Sequence, residues 1–240
     1  MEYWSAHLLL AVLLLIPWQS RKGIRLLDEL VVNHPGARLA FYRDAIIGQW
    51  VLAGIAFAIL WYHDPDYVRS LTGVAIDSDG LLVVGLAALA LLSQSPLVPA
   101  ARRRMARSRS THRLLLPIIN ILPHNDDERR MWVHVAVTAG ICEEVLFRAF
   151  LFFYATSVLE IGVAGAIALS SAVFAFGHSY QGTANMFRVG VAGAILGCTF
   201  AATDTLVYCV ILHALLDLGA LRMRELLPPE ETRRDEVNES

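Results

Sequence analysis

Gly140-Ile141-Cys142-Glu143-Glu144-Val145-Leu146-Phe147-Arg148 sets two glutamates and an arginine inside a run that otherwise reads as a membrane helix. Ionisable groups in hydrocarbon are costly unless they are paired or solvated. On a helix, Glu144 and Arg148 lie one turn apart and can pair. Glu143 is rotated about 100° from Glu144 and has no local partner. Two readings follow. One is a carboxylate locked by arginine beside a carboxylate free for chemistry. The other is a buried ion network that only joins helices.

Working outward, the composition favours a membrane setting. Of 240 residues, 56% are hydrophobic and 18% charged, and mean hydropathy is +0.51. The apolar share lies above the soluble average and the charged share below it. The charges are clustered, which leaves long uncharged runs and places the chain among polytopic membrane proteins. Cys142, Cys198 and Cys209 lie in apolar runs without metal or redox spacing, and read as small core residues.

The expected fold is an all-α polytopic membrane helix bundle of about seven transmembrane helices. The spans are expected near residues 4–18, 45–62, 80–98, 131–154, 160–178, 186–203 and 205–221. The first is not a secretory signal, because its positive charge, Arg21-Lys22, follows the apolar run rather than preceding it. Residues 20–40 read as an amphipathic connector with Ile24, Leu27, Leu30 and Val31 at helical spacing. Residues 66–79 read as a polar loop. Leu114 to Leu122, broken by Pro117, is too short to span and reads as re-entrant or interfacial. The last four spans have short connections and should pack as antiparallel neighbours forming a four-helix core. The chain therefore divides into N-terminal helices and a basic loop (1–127), a core (128–222) and a polar, disordered tail (223–240).

Orientation follows from arginine and lysine. With the N-terminus outside and the C-terminus in the cytoplasm, nearly every basic residue falls in a cytoplasmic segment. Arg21, Lys22, Arg25, Arg38 and Arg43 fall in the first loop, and Arg102 to Arg104, Arg107, Arg109, Arg113, Arg129 and Arg130 in the second. Arg188 falls in the third, and Arg222, Arg224, Arg233 and Arg234 in the tail. Only Arg69 is left outside. The arginine-rich loop fits topology and anionic lipid rather than nucleic acid. The compact size and the alanine- and arginine-rich composition read as bacterial, hence an inner-membrane location.

Polar residues are sparse in the last four spans. Besides Glu143, Glu144 and Arg148, the fifth span ends Phe174-Ala175-Phe176-Gly177-His178, and the seventh carries His213 and Asp217 four apart on one face. Either histidine alone is more often interfacial or capping than catalytic. Together with Glu143 they fit one polar cavity reached from the cytoplasm.

Glu143-Glu144-x-x-x-Arg148, Phe174-x-x-x-His178 and His213-x-x-x-Asp217, in order on successive apolar helices, resemble the signature of the CAAX-protease and bacteriocin-processing family. This family is also called the Abi family of intramembrane glutamic endopeptidases. The resemblance covers about residues 128–222. It implies that Glu143 is the general base for a water, that His178 holds the same water, and that His213 donates to the oxyanion. It makes Glu144 and Arg148 an orienting pair around them. The family carries Asn or Asp at the place of Asp217. An ionised aspartate would repel an oxyanion, so Asp217 is expected to be protonated or, preferably, to accept from the His213 ring.

Zinc held by Glu143, His178 and His213 is the rival mechanism. His-Glu-x-x-His spacing is absent and the resemblance implies a metal-free site, so no cofactor and no metal are expected. Cys142 as nucleophile lacks a base. The partners expected are the lipid bilayer and a peptide or membrane-protein substrate, such as a prenylated tail, a leader peptide or a membrane anchor. The other function class is a non-catalytic immunity or scaffold protein on the same fold, which would have no use for an unpaired Glu143. A proton-coupled transporter is disfavoured because no inverted repeat is visible. Substrate identity and oligomeric state are not legible.

Overall fold

The computed structural model describes residues 3–74, 76–108, 111 and 114–226. Arg109, Arg113 and the expected tail beyond residue 226 lie outside them. Among the described residues the regular structure is entirely helical. The principal helices are α1 (Trp4–Leu30), α2 (Ala37–His63), α3 (Pro65–Ser70), α4 (Ser78–Leu92), α5 (Pro99–Ala106), α6 (Asp126–Glu144), α7 (Gly162–Gly177), α8 (Thr183–Thr203) and α9 (Leu206–Leu218).

Local chemistry sets the helix starts. Asn125 caps α6, its side chain accepting from the Glu128 N–H, and Asp126, Asp127 and Glu128 place negative charge against the positive helix end. Asp77 caps α4 and Thr205 caps α9 in the same way. Pro65 and Pro99 occupy the first turns of α3 and α5, where a missing N–H costs nothing. Asp204 ends α8 in the left-handed region at φ +51.

Several boundaries differ from the sequence expectation. α1 does not stop at Trp18. It continues through Pro17 to Leu30, so no separate connector exists. The helical spacing was nevertheless sound, since Ile24 and Leu27 are buried on that face. The loop expected over 66–79 contains α3, because Asp64 accepts from the Tyr67 N–H and Pro65 presets the turn. The third span stops at Leu92, and Pro99 starts α5 instead of closing that span. Residues 116–118 form one 3₁₀ turn that tucks Leu115, Ile121 and Leu122 into the interior. The chain after α6 stays helical to Val158 but widens into π-helix at Val145–Phe150 and Tyr154–Val158.

α2, α8 and the segment Leu206–Met223 are long and apolar enough to cross a membrane, and α4 and α7 are shorter apolar helices. α6 carries too much charge to join them by that measure, and α1 does not meet it either. The outward faces agree with lipid surroundings: Trp50, Val51 and Ile55 on α2, and Leu82, Leu86 and Leu89 on α4 are exposed. In water such a surface would be an interaction liability, whereas in a bilayer it is solvated. The protein is a helical membrane bundle.

α6 is the organising helix. It packs against α2 on one side and α9 on the other, while α7 packs against α8, α4 against α8 and α9, and α1 against α7. Gly140 permits the α6–α9 approach. A Cβ at this position would stand 3.0 Å from the Val210 carbonyl and 3.1 Å from the Ala214 Cβ. One apolar cluster runs from Leu9 and Leu13 of α1 through Leu60 of α2 to Phe150, Phe174, Leu196 and Leu212.

Candidate active site

The site forms where α6, the end of α7 and the middle of α9 meet, with α2 as its fourth wall. Glu144 and Arg148 are fully buried and paired at 3.1 Å. The guanidinium also donates to the Gly193 carbonyl of α8 at 3.0 Å and lies over the Phe174 ring at 4.9 Å. Gly193 makes room for this, since a Cβ there would meet the Phe174 ring at 3.1 Å. The π-helical turn begins at Val145, directly after the two glutamates, and carries Arg148. Such turns interrupt the regular spacing of side chains and recur at functional sites.

Glu144 has a second partner. The Nδ1–H of His213 donates to its Oε1 at 2.7 Å. A contact this short to a carboxylate places a proton on Nδ1 and leaves Nε2 facing the cavity. This corrects the expectation that Asp217 orients His213. Asp217 Oδ2 instead stands 3.8 Å from His213 Nε2, on the cavity side of the ring. One helical turn separates the two residues along α9, which puts the Asp217 carboxylate beside the ring's far nitrogen. The Trp132 indole donates to the Asp217 carbonyl at 2.9 Å and ties α6 to this turn.

Glu143 points into the same space. Its Oε1 accepts from Gln49 Nε2 at 2.8 Å, so it has a partner after all, supplied by α2. Its Oε2 is inaccessible and has no hydrogen-bond partner. That oxygen stands 3.8 Å from His213 Nε2 and 4.0 Å from His178 Nε2. These separations are too long for direct hydrogen bonds. His178 is aimed by its own helix end: its Nδ1–H donates to the Phe174 carbonyl at 2.9 Å, which turns Nε2 towards Glu143. The Phe174 ring packs against both imidazoles, with centroids 4.6 Å from His178 and 5.7 Å from His213.

The structure therefore brings Glu143, His178, His213 and Asp217 together, Glu143 within 4.0 Å of both imidazoles and Asp217 3.8 Å from His213, with Glu144 and Arg148 behind His213. Sequence reasoning missed Gln49. Its signal was present, an uncharged amide in the apolar run Ile46-Ile47-Gly48-Gln49-Trp50-Val51. It also missed Tyr180, which follows His178 in a 3₁₀ turn with ring centroids 6.0 Å apart. Burial pushes the Tyr180 phenol up to about 12, against a lowering hydrogen bond from Gln181, so it stays neutral.

Residues 127–219 match the family model described as type II CAAX prenyl endopeptidase Rce1-like. This segment is similar to the CAAX-protease family. The matched stretch contains all of the cavity residues except Gln49. No curated protein and no solved structure matches the chain. The match makes this segment similar to endopeptidases, and Gln49 of α2 is the part of the site that the family model does not cover.

Proposed function

We propose that the protein is an intramembrane endopeptidase that hydrolyses a peptide bond with a water activated by Glu143. The observation that carries this reading is the Glu143 oxygen left without a partner between two imidazole nitrogens. A buried carboxylate oxygen without a partner calls for an explanation, and a bridging water supplies one. Glu143 takes a proton from that water, and His178 Nε2 accepts from its other O–H. The oxygen then adds to the carbonyl carbon as the C=O π bond opens. The oxyanion receives a hydrogen bond from His213, which donates from Nε2 when doubly protonated, its charge balanced by Glu144 on Nδ1. Preorganised donors of this kind account for large parts of catalytic rate enhancements. Collapse re-forms the carbonyl and breaks the C–N bond, and the proton held on Glu143 goes to the leaving amine. Asp217, beside Nε2, is proposed to act in its protonated form, because a second anion there would oppose the oxyanion.

We infer a metal-free mechanism. A tetrahedral zinc with ligands at about 2.0–2.1 Å would hold its donor atoms about 3.3 Å apart. The 3.8 and 4.0 Å separations here are wider; the His213 Nδ1 bond to Glu144 fits either mechanism, since a metal-bound imidazole also donates its other N–H to a carboxylate. Purified protein in detergent, offered membrane-anchored and lipidated peptides and read by mass spectrometry, should release defined fragments at unchanged rates in the presence of chelators. Loss of cleavage with chelator, restored by zinc, would replace this mechanism with a metal-dependent one. We further propose an inner-membrane location with the N-terminus outside, which opens the cavity towards the cytoplasm.

A further inference from the structure

A cleft of about 350 Å³ opens beside the site, lined by Arg21, Ile24, Arg25 and Asp28 of α1, Pro117, and Ser179, Tyr180 and Gly182 of the turn after α7. One aromatic ring separates it from the reacting groups. Tyr180 lines the cleft and packs on His178, which faces Glu143. Arg21 and Arg25 are one helical turn apart on the same face of α1. Both are exposed, and neither has an ion-pair partner among the described residues. Lys22 is turned away, its ammonium 3.4 Å from the Trp18 ring centroid. Asp28, the one carboxylate of the lining, accepts from Asn120 at 3.0 Å, so one of its oxygens is already engaged. The Ser179 hydroxyl oxygen is inaccessible and without a partner. Gly182 starts α8 at φ +85, and no side chain caps that 21-residue helix. Two guanidinium groups and an uncapped helix start on the lining of one cleft favour an anion there.

We propose that this cleft receives a carboxylate of the peptide substrate, so that Arg21 and Arg25 set a preference for an anionic group within a few residues of the scissile bond. The inference rests on the peptidase reading above. The carboxylate is either the substrate's C-terminus or an aspartate or glutamate side chain. A peptide carboxylate fits better than a lipid headgroup because the cleft adjoins His178 through Tyr180. Both arginines lie upstream of the matched family segment, so this preference belongs to this chain's own first helix.

The test is fluorescence anisotropy of labelled apolar octapeptides on the full-length protein in neutral detergent, with cleavage of the same peptides measured in parallel. Three probes are used: a free C-terminal acid, its amide, and the amide carrying one internal glutamate. The wild type should bind at least one anionic probe about tenfold more tightly than the plain amide, as one charge-assisted contact implies. Which of the two binds tightly identifies the source of the carboxylate. Arg21→Gln with Arg25→Gln should erase the difference and raise KM while leaving kcat nearly unchanged. Arg21→Lys with Arg25→Lys should restore part of it. Equal binding of all three probes by the wild type, or an unchanged preference in the glutamine variant, would overturn the assignment. It would also fall if that variant lost binding to phosphatidylglycerol nanodiscs while keeping its peptide preference, since the arginines would then be lipid contacts. Anisotropy needs no turnover. Selective binding without cleavage would uphold the cleft and count against the peptidase reading, whereas cleavage without selectivity would do the reverse.

Discussion

At the scale of the residue, adjacent glutamates have different work because the helix turns them to different neighbours. Glu143 meets Gln49 and the two Nε2 atoms, and Glu144 meets Arg148 and His213 Nδ1. Removing one partner from a buried ion pair costs about 3–5 kcal/mol, because the other charge is left uncompensated. Glu144→Gln should therefore lower the thermal midpoint in detergent and also lower kcat, since it weakens the hold on His213. Arg148→Ala should reproduce the loss of stability. A Glu144→Gln protein as stable and active as the wild type would remove Glu144 from this role. The pairing of Glu144 with Arg148 was legible from their spacing. The hold of Glu144 on His213 was not, because it joins residues 69 positions apart and only the close packing of α6 on α9 reveals it. Asp217 was assigned to His213 because four-residue spacing is readable in one dimension. The ring in fact turns its other nitrogen to Asp217.

At the scale of the element, α6 carries both the proposed chemistry and a close helix contact. Gly140 sits one turn before Glu144, against the Val210 carbonyl and Ala214 on either side of His213. Forcing side-chain volume into a packed contact costs roughly 1–3 kcal/mol. Gly140→Val should shift α9 away, cost stability in that range, and reduce kcat more than KM, with thermal unfolding and steady-state kinetics as the readouts. Normal kcat in a folded Gly140→Val protein would show that the α6–α9 spacing does not set the site. Helix existence was legible from apolar runs, but several helix ends were not. The first span was expected to end near Trp18, yet the helix runs on to Leu30, with the Trp18–Lys22 contact at that point. The π-helical turns left no mark in the apolar pattern.

At the scale of the whole molecule, the helices before residue 127 complete the site as well as surrounding it. Gln49 of α2 reaches Glu143, and α1 lines the neighbouring cleft. Each of the seven expected spans falls on a helix, and three of these helical segments are long and apolar enough to cross a membrane. Topology belongs to this scale. A single cysteine placed at Arg103 in α5, in a background with Cys142, Cys198 and Cys209 replaced, should resist membrane-impermeant maleimide in intact cells and react after permeabilisation. Labelling in intact cells would invert the proposed orientation and move the cavity mouth to the other face.

The central claim is that Glu143 activates the hydrolytic water, and Glu143→Gln tests it most directly. Glutamine keeps the size of the side chain and can still accept from Gln49, so the variant should purify with the same thermal midpoint. It cannot take a proton from water. Cleavage of a membrane-peptide substrate by purified wild type and Glu143→Gln, followed by mass spectrometry, should fall by at least about 10²-fold, the lower range for loss of a general base. Wild-type cleavage by a folded Glu143→Gln protein would contradict the account.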